Sequence, residues 1–167
     1  MTIKLFYPAS YLPHKNHHIL VSSCIDALLA ELNITICLTI DRGDIDFSSP
    51  NISLLGRLPR SFCIQHLHKS SALLFLSSYE SLGLPLVEAC EAQKPIICLD
   101  RTYSRDLLGD SAYYYSDNSA ESLSIAIKKF ASESKSPRLA ILKQQKLSIG
   151  TAWNMLVAAA DQPNAKY

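Results

Sequence analysis

Two carboxylates, Glu80 and Glu88, are separated by seven residues in the stretch Glu80-Ser81-Leu82-Gly83-Leu84-Pro85-Leu86-Val87-Glu88. The residues between them have the composition of a loop that turns into a helix. Gly83 permits close approach of backbone to a ligand, and Pro85 starts a helix without wasting an amide. The N–H groups of Leu84, Leu86 and Val87 are then expected to face an anion, and a diphosphate suits the positive end of a helix. Glu88, one turn in, is expected to accept two hydrogen bonds from vicinal hydroxyls, as a carboxylate does for a ribose. Glu80 would lie nearer a sugar carried on the distal phosphate. From the spacing alone the reading of two solvated surface glutamates stays open, and the interior Gly and Pro weigh against it.

These groups need a scaffold, and the hydrophobic pattern supplies one. Apolar, partly β-branched runs at 3–7, 34–40, 51–55, 72–76, 95–99 and 111–115 read as strands. Helical spacing starts near Asn16, with Leu20, Cys24, Ala27, Leu28 and Leu32 on one face, and returns over 62–69 and 85–92 and through most of the tail. The segment 100–106 reads as a loop. Strands that alternate with helices imply right-handed crossovers and a parallel sheet covered by helices. The expected fold is therefore α/β, a single Rossmann-like domain over residues 1–161, with 162–167 as a frayed tail. In such a sheet the loops at 8–15, 56–61, 77–84 and 100–106 share one crevice outside the carboxyl ends of the strands.

Composition bounds the function. The chain has 167 residues, close to one domain, with 16 basic and 15 acidic residues and a formal charge of +1. No global field recruits nucleic acid or an anionic membrane, so an anionic ligand must be held locally. No apolar run approaches the ~20 residues that span a bilayer, and no signal-peptide layout opens the chain, so the cytoplasm is the expected location. The five cysteines contain no C-x-x-C pair and read as small hydrophobes in a reducing compartment. His14, His17, His18, His66 and His68 have no carboxylate or cysteine at ligand spacing, so no metal site is expected. Dinucleotide and P-loop glycine motifs are absent from a chain with only five glycines.

The stretch from Glu80 to Ala89, with the strand start Lys94-Pro95-Ile96-Ile97, resembles the signature of the retaining glycosyltransferases known as group 1 or family four. The likeness extends over essentially the whole chain. It implies the C-terminal, donor-binding half of a two-domain GT-B enzyme that transfers a hexosyl group from a nucleotide diphosphate, such as a UDP- or GDP-hexose, without a cofactor or metal. Asn51 to Arg60 looks like the family's strand and loop facing the base, which places Arg57 and Leu58 at the donor. Thr151-Ala152-Trp153 looks like its closing helix. Pro13-His14-Lys15-Asn16-His17 is similar to the family's basic helix start, and Lys15 would neutralise the departing diphosphate. Glu80 and Lys15 are thus the catalytic candidates. The family usually has an arginine five residues before that lysine; this chain has Ser10, and the candidate substitutes are Arg57, Arg60 or a residue from another chain. Asp106, where many relatives have a glutamate, is read as structural.

The resemblance places the acceptor in an N-terminal domain, whereas Met1 here leads directly into the first strand. The chain is therefore expected to bind a nucleotide and to transfer little sugar alone. Its other half would be a separate acceptor-domain protein, a second copy in a homo-oligomer, or a segment lost by truncation, and a partner would be the route to any peripheral membrane location. The alternative is a non-catalytic nucleotide-sugar-binding or scaffold protein. A sugar-nucleotide epimerase ranks last.

Overall fold

The apolar runs become six parallel strands: β1, Ile3–Tyr7; β2, Ile34–Leu38; β3, Ile52–Leu54; β4, Ala72–Phe75; β5, Ile96–Leu99; and β6, Tyr113–Tyr115. The computed structural model describes residues 2–46, 49–133 and 138–141. Every residue of β4 and β5 is buried, as expected of strands covered on both faces. The strand order is β3-β2-β1-β4-β5-β6, the order of a Rossmann sheet. Its direction of growth reverses between β1 and β4. In sheets of this order a ligand is expected outside the carboxyl ends of those two adjacent strands.

Among the described residues four α-helices connect strands, α1, Ser23–Glu31; α2, Arg60–Lys69; α3, Leu84–Glu91; and α4, Thr102–Leu108; α5, Ala120–Ser132, follows β6. In α5 the buried side chains Leu123, Ala126, Ile127 and Phe130 repeat at helical spacing and pack toward β6 and α1. Each large apolar side chain so buried contributes about 1.5–3 kcal/mol. The Ser119 hydroxyl caps this helix, accepting from the Ser122 N–H at 3.1 Å.

Two sequence expectations are corrected. The helical pattern from Asn16 is not one helix but a 3-10 turn, His17–Val21, followed by α1, and a further 3-10 turn, Pro13–Lys15, precedes it. Asn16 between the turns is left-handed, with φ 53°, and Ser22 is extended. A 3-10 turn advances by a different angle per residue from an α-helix, so the phase shifts. Ile25, Leu28 and Leu29 face the core, while Cys24 and Ala27 are exposed. Cys24 is thus an exception to the buried cysteines; Cys37 and Cys98 are buried, Cys63 and Cys90 half-buried. The second correction concerns 100–106, where Thr102–Leu108 is α4 rather than loop. Its Thr, Tyr, Ser and Asp have low helix propensity, which hid it; a hydrogen bond from the Arg101 N–H to Ser104 Oγ at 3.1 Å secures its start. The Thr151-Ala152-Trp153 helix, the 162–167 tail and the far end of the 1–161 domain lie outside the described residues.

Candidate functional site

Lys15 closes the turn that follows β1, and Glu80 lies in the loop that follows β4. Their side chains form an ion pair, Nζ to Oε1, and are 15% and 16% exposed. The topology accounts for the meeting, because β1 and β4 are neighbours at the point where the sheet reverses.

The backbone under this pair is pinned from several sides. The Tyr7 hydroxyl donates to the Lys15 carbonyl at 2.8 Å and shares a 3.3 Å hydrogen bond with Ser77 Oγ. The Ser78 N–H donates to the His14 carbonyl at 2.8 Å. Asn16 Nδ2 donates to the Leu76 carbonyl and to Ser78 Oγ, each at 2.7 Å, and Asn118 Nδ2 adds a 3.0 Å bond to the same hydroxyl. Tyr103 Oη donates to the Ser77 carbonyl at 2.7 Å, which brings α4 to the same loop. Burial pushes the Tyr7 phenol well above its ordinary pKa, a shift that the Ser77 hydrogen bond reduces and the charge of Glu80 increases. Tyr7 is therefore a neutral donor throughout the physiological range. His17 stacks on Tyr7 with ring centroids 4.9 Å apart, and both its ring nitrogens are buried without a hydrogen-bond partner among the described residues. Burial, followed by the charge of Lys15, lowers its pKa to about 4. At the rim, His14 stacks on the exposed ring of Tyr79 at 4.4 Å.

Gly83 caps α3 in the left-handed conformation, with φ 56°. A Cβ at this position would stand 3.1 Å from Leu107 Cδ1 and 3.2 Å from Leu86 Cδ1. The turn itself thus requires glycine, a reason separate from ligand approach. Pro85 sits in the first turn as expected. The amides differ from expectation: Leu86 and Val87 both donate to the Gly83 carbonyl, at 2.8 and 3.4 Å. With Gly83 as cap these groups already close the first helical turn, so Leu84, the first helical residue, is the remaining amide donor of the three. Leu86 and Val87 bury their side chains and serve the site as packing.

Glu88 is on α3 with a side chain 10% exposed, and it accepts from Arg60 Nε at 2.8 Å. Burial raises its pKa, opposed by the charge and the hydrogen bond of Arg60. The other loop residues are more peripheral. Arg57 Nε pairs with Asp41 at 3.1 Å, with side chains 80% and 51% exposed, an arrangement worth little in water. The Leu58 carbonyl accepts a 3.7 Å contact from Cys63 Sγ, Ser10 is exposed on the loop after β1, and Asp106 is exposed on α4. The structure therefore joins Lys15 to Glu80 and Glu88 to Arg60, and it turns Arg57 toward Asp41. The sequence reading missed Tyr7, Ser77, Ser78, Asn118 and Tyr103; the only local signal was a tyrosine ending an apolar strand before Pro8. Among the described residues no three His, Cys, Asp or Glu side chains converge on a metal-sized site. An open hollow of about 520 Å³ lies elsewhere, against β3, with Arg42, Ile45, Ile52 and Leu54 in its lining.

The sequence profile of the family described as "Glycosyl transferases group 1" matches residues 48–146, more than half of the chain. The chain belongs to the group 1 glycosyltransferases. The matched stretch includes Glu80, Gly83 and Glu88, and begins after Lys15. A relative, the serotype-specific mannosyltransferase WbdA of Escherichia coli, is 29% identical over 73 residues, 44% of this chain and 9% of that protein. Among solved structures, Anabaena HepE in complex with UDP and glucose superposes with a TM-score of 0.66 at 15% identity, covering 96% of this chain and 48% of that one. The catalytic domain of starch synthase IV from Arabidopsis thaliana, bound to ADP and acarbose, gives 0.64 at 13% identity, covering 81% and 32%. At such identities the likeness is one of fold. This group 1 glycosyltransferase chain thus has the Rossmann-like architecture of a GT-B half, spanning less than a tenth of the mannosyltransferase and about half of HepE. No helix among its described residues is long and apolar enough to cross a membrane.

Proposed function

We propose that the chain binds a nucleotide-diphosphate sugar and supplies the donor side of a retaining glycosyl transfer. The observation that carries this reading is the Lys15–Glu80 pair at the reversal point of the sheet, where a Rossmann domain takes its ligand. When the bond between the anomeric carbon and the diphosphate breaks, negative charge accumulates on the departing phosphate oxygen. The Lys15 ammonium is the cation assigned to stabilise that charge, with the Leu84 amide at the helix entry assisting. Glu80 holds Lys15 in place and faces the sugar, and Glu88 takes the ribose hydroxyls. In this reading Lys15 carries the neutralising role, and no metal or cofactor is assigned to the step.

Two relatives of the same fold are described with nucleoside diphosphates, HepE with UDP and starch synthase IV with ADP, and WbdA is a mannosyltransferase. These likenesses support a hexose donor. Because the chain spans about half of HepE, the acceptor side is assigned to a second domain, a partner protein or another copy of the chain. The competing reading, a binding module without turnover, rests on Ser10 and on the engagement of Arg57 with Asp41.

Calorimetry of the chain against UDP, GDP, ADP and their hexose conjugates tests the proposal. One nucleotide series is expected to bind, and Lys15→Ala and Glu88→Ala are each expected to weaken it by about tenfold, the scale of one charged hydrogen bond. Binding of none of them would end the proposal.

A further inference from the structure

We propose that Arg60 is a positioning residue for nucleotide recognition, fixing the Glu88 carboxylate as the acceptor of a ribose diol. The assignment rests on the reading of Glu88 given above and adds to it a residue from a different element. Arg60 is the first residue of α2 and Glu88 lies one turn into α3, so the contact between them closes the gap between the loop after β3 and the helix entry at Gly83. Arg60 Nε meets Glu88 Oε1 at 2.8 Å, with the acid 10% exposed and the base 46% exposed. The buried partner is therefore the carboxylate, and the guanidinium covers it from the solvent side.

A carboxylate offers about four lone-pair sites, of which this bond uses one on Oε1. Oε2 and the second site on Oε1 can take two hydroxyl donors while Arg60 stays in place. The charge balance makes Arg60 more than a spacer. Burial disfavours the ionised carboxylate, and Glu91 on the same helix disfavours it further; Cys63 of α2 also faces it, as a thiol whose own pKa is raised by burial and by Glu88. Arg60 is the group that opposes these effects. A protonated Glu88 would present one hydroxyl donor and lose acceptor capacity, so it could not receive both hydroxyls of the diol. Arg60 thus keeps the acceptor competent as pH falls.

The test uses the full chain as wild type, Arg60→Gln and Arg60→Lys. Each is titrated with UDP, GDP and ADP and with the corresponding 2′-deoxynucleoside diphosphates, from neutral pH down to the acid limit of stability. In Arg60→Gln the acid-side loss of affinity for the ribonucleotide is expected to move up by about one pH unit. Arg60→Lys is expected to restore most of that shift, and the deoxynucleotide, which lacks the diol, to show no such movement. An unmoved acid limb in Arg60→Gln, with the wild type binding, would overturn the role of Arg60 alone. Equal losses for ribo- and deoxynucleotides at every pH would overturn it too, and would assign Arg60 to the diphosphate. Failure of the wild type to bind any of the three would remove the reading of Glu88 and this assignment together. An NMR titration of the Glu88 carboxyl carbon, without ligand, must show the same upward shift in Arg60→Gln; an unchanged titration contradicts the proposal independently of any binding measurement.

Discussion

Lys15 and Glu80 are 65 residues apart in sequence and share an ion pair where β1 and β4 run side by side. The two side chains are about one-sixth exposed, so the pair belongs neither to the open surface nor to the dry core. Exposed pairs contribute about 0–1 kcal/mol, whereas removing one partner of a buried pair costs about 3–5 kcal/mol.

Lys15→Ala and Glu80→Ala should each destabilise the fold by about 2 kcal/mol, between those limits. The double substitution should cost less than the sum, because each single change strands a charge that the double change removes. Urea unfolding of the four proteins measures the coupling. Strictly additive values would mean that the two groups are energetically independent.

Gly83→Ala should lower stability by about 1–2 kcal/mol, since alanine meets both a left-handed backbone and a crowded Cβ position against Leu107. Because Gly83 also sets the direction of the Leu84 amide, nucleotide affinity should fall with it. Thermal unfolding beside calorimetry tests both effects in one preparation.

Tyr7→Phe removes the hydroxyl that ties the Lys15 carbonyl to Ser77 Oγ and leaves the ring in the core. A stability loss of about 1 kcal/mol is expected, the typical value of one hydrogen bond. The larger effect should be on nucleotide affinity, as the turn bearing Lys15 loses an anchor. A variant that binds as tightly as wild type would show that the anchor is dispensable.

His17 gives the fold an acid-sensitive point. Its pKa is about 4 in the folded chain against an ordinary value of 6.5, so below 6.5 the unfolded chain takes up a proton that the folded chain refuses. The stability associated with neutral His17 is complete above 6.5 and is lost progressively as pH falls to about 4. His17→Phe retains an aromatic ring against Tyr7 and cannot titrate. Its stability should fall less steeply over that window, by a few kcal/mol in total. Chemical denaturation at several pH values reads the difference, and parallel curves would contradict it.

The strands were legible because their apolar runs are short and closed by Pro, Gly or polar residues, and the Glu80 to Glu88 loop because Gly83 and Pro85 punctuate it. What escaped depends on contacts distant in sequence. The break at Asn16 follows from its side chain bonding to Leu76 and Ser78, 60 and 62 residues away, which no local pattern records. The fate of the Leu86 and Val87 amides turns on whether Gly83 acts as a cap, a matter of one φ angle. Arg57 and Arg60 are three residues apart and look alike in sequence. Only the tertiary fold, which brings the start of α2 within reach of Glu88, sends one to that carboxylate and leaves the other in solvent with Asp41.

The nucleotide diphosphate is assigned to the junction of β1 and β4, and an amide-resolved NMR titration of the chain with UDP, GDP and ADP tests that location most directly. Shifts are expected to concentrate on Lys15, Ser78, Glu80, Gly83, Leu84 and Glu88. Shifts confined to Arg42, Ile45, Ile52 and Leu54, around the hollow against β3, would contradict it.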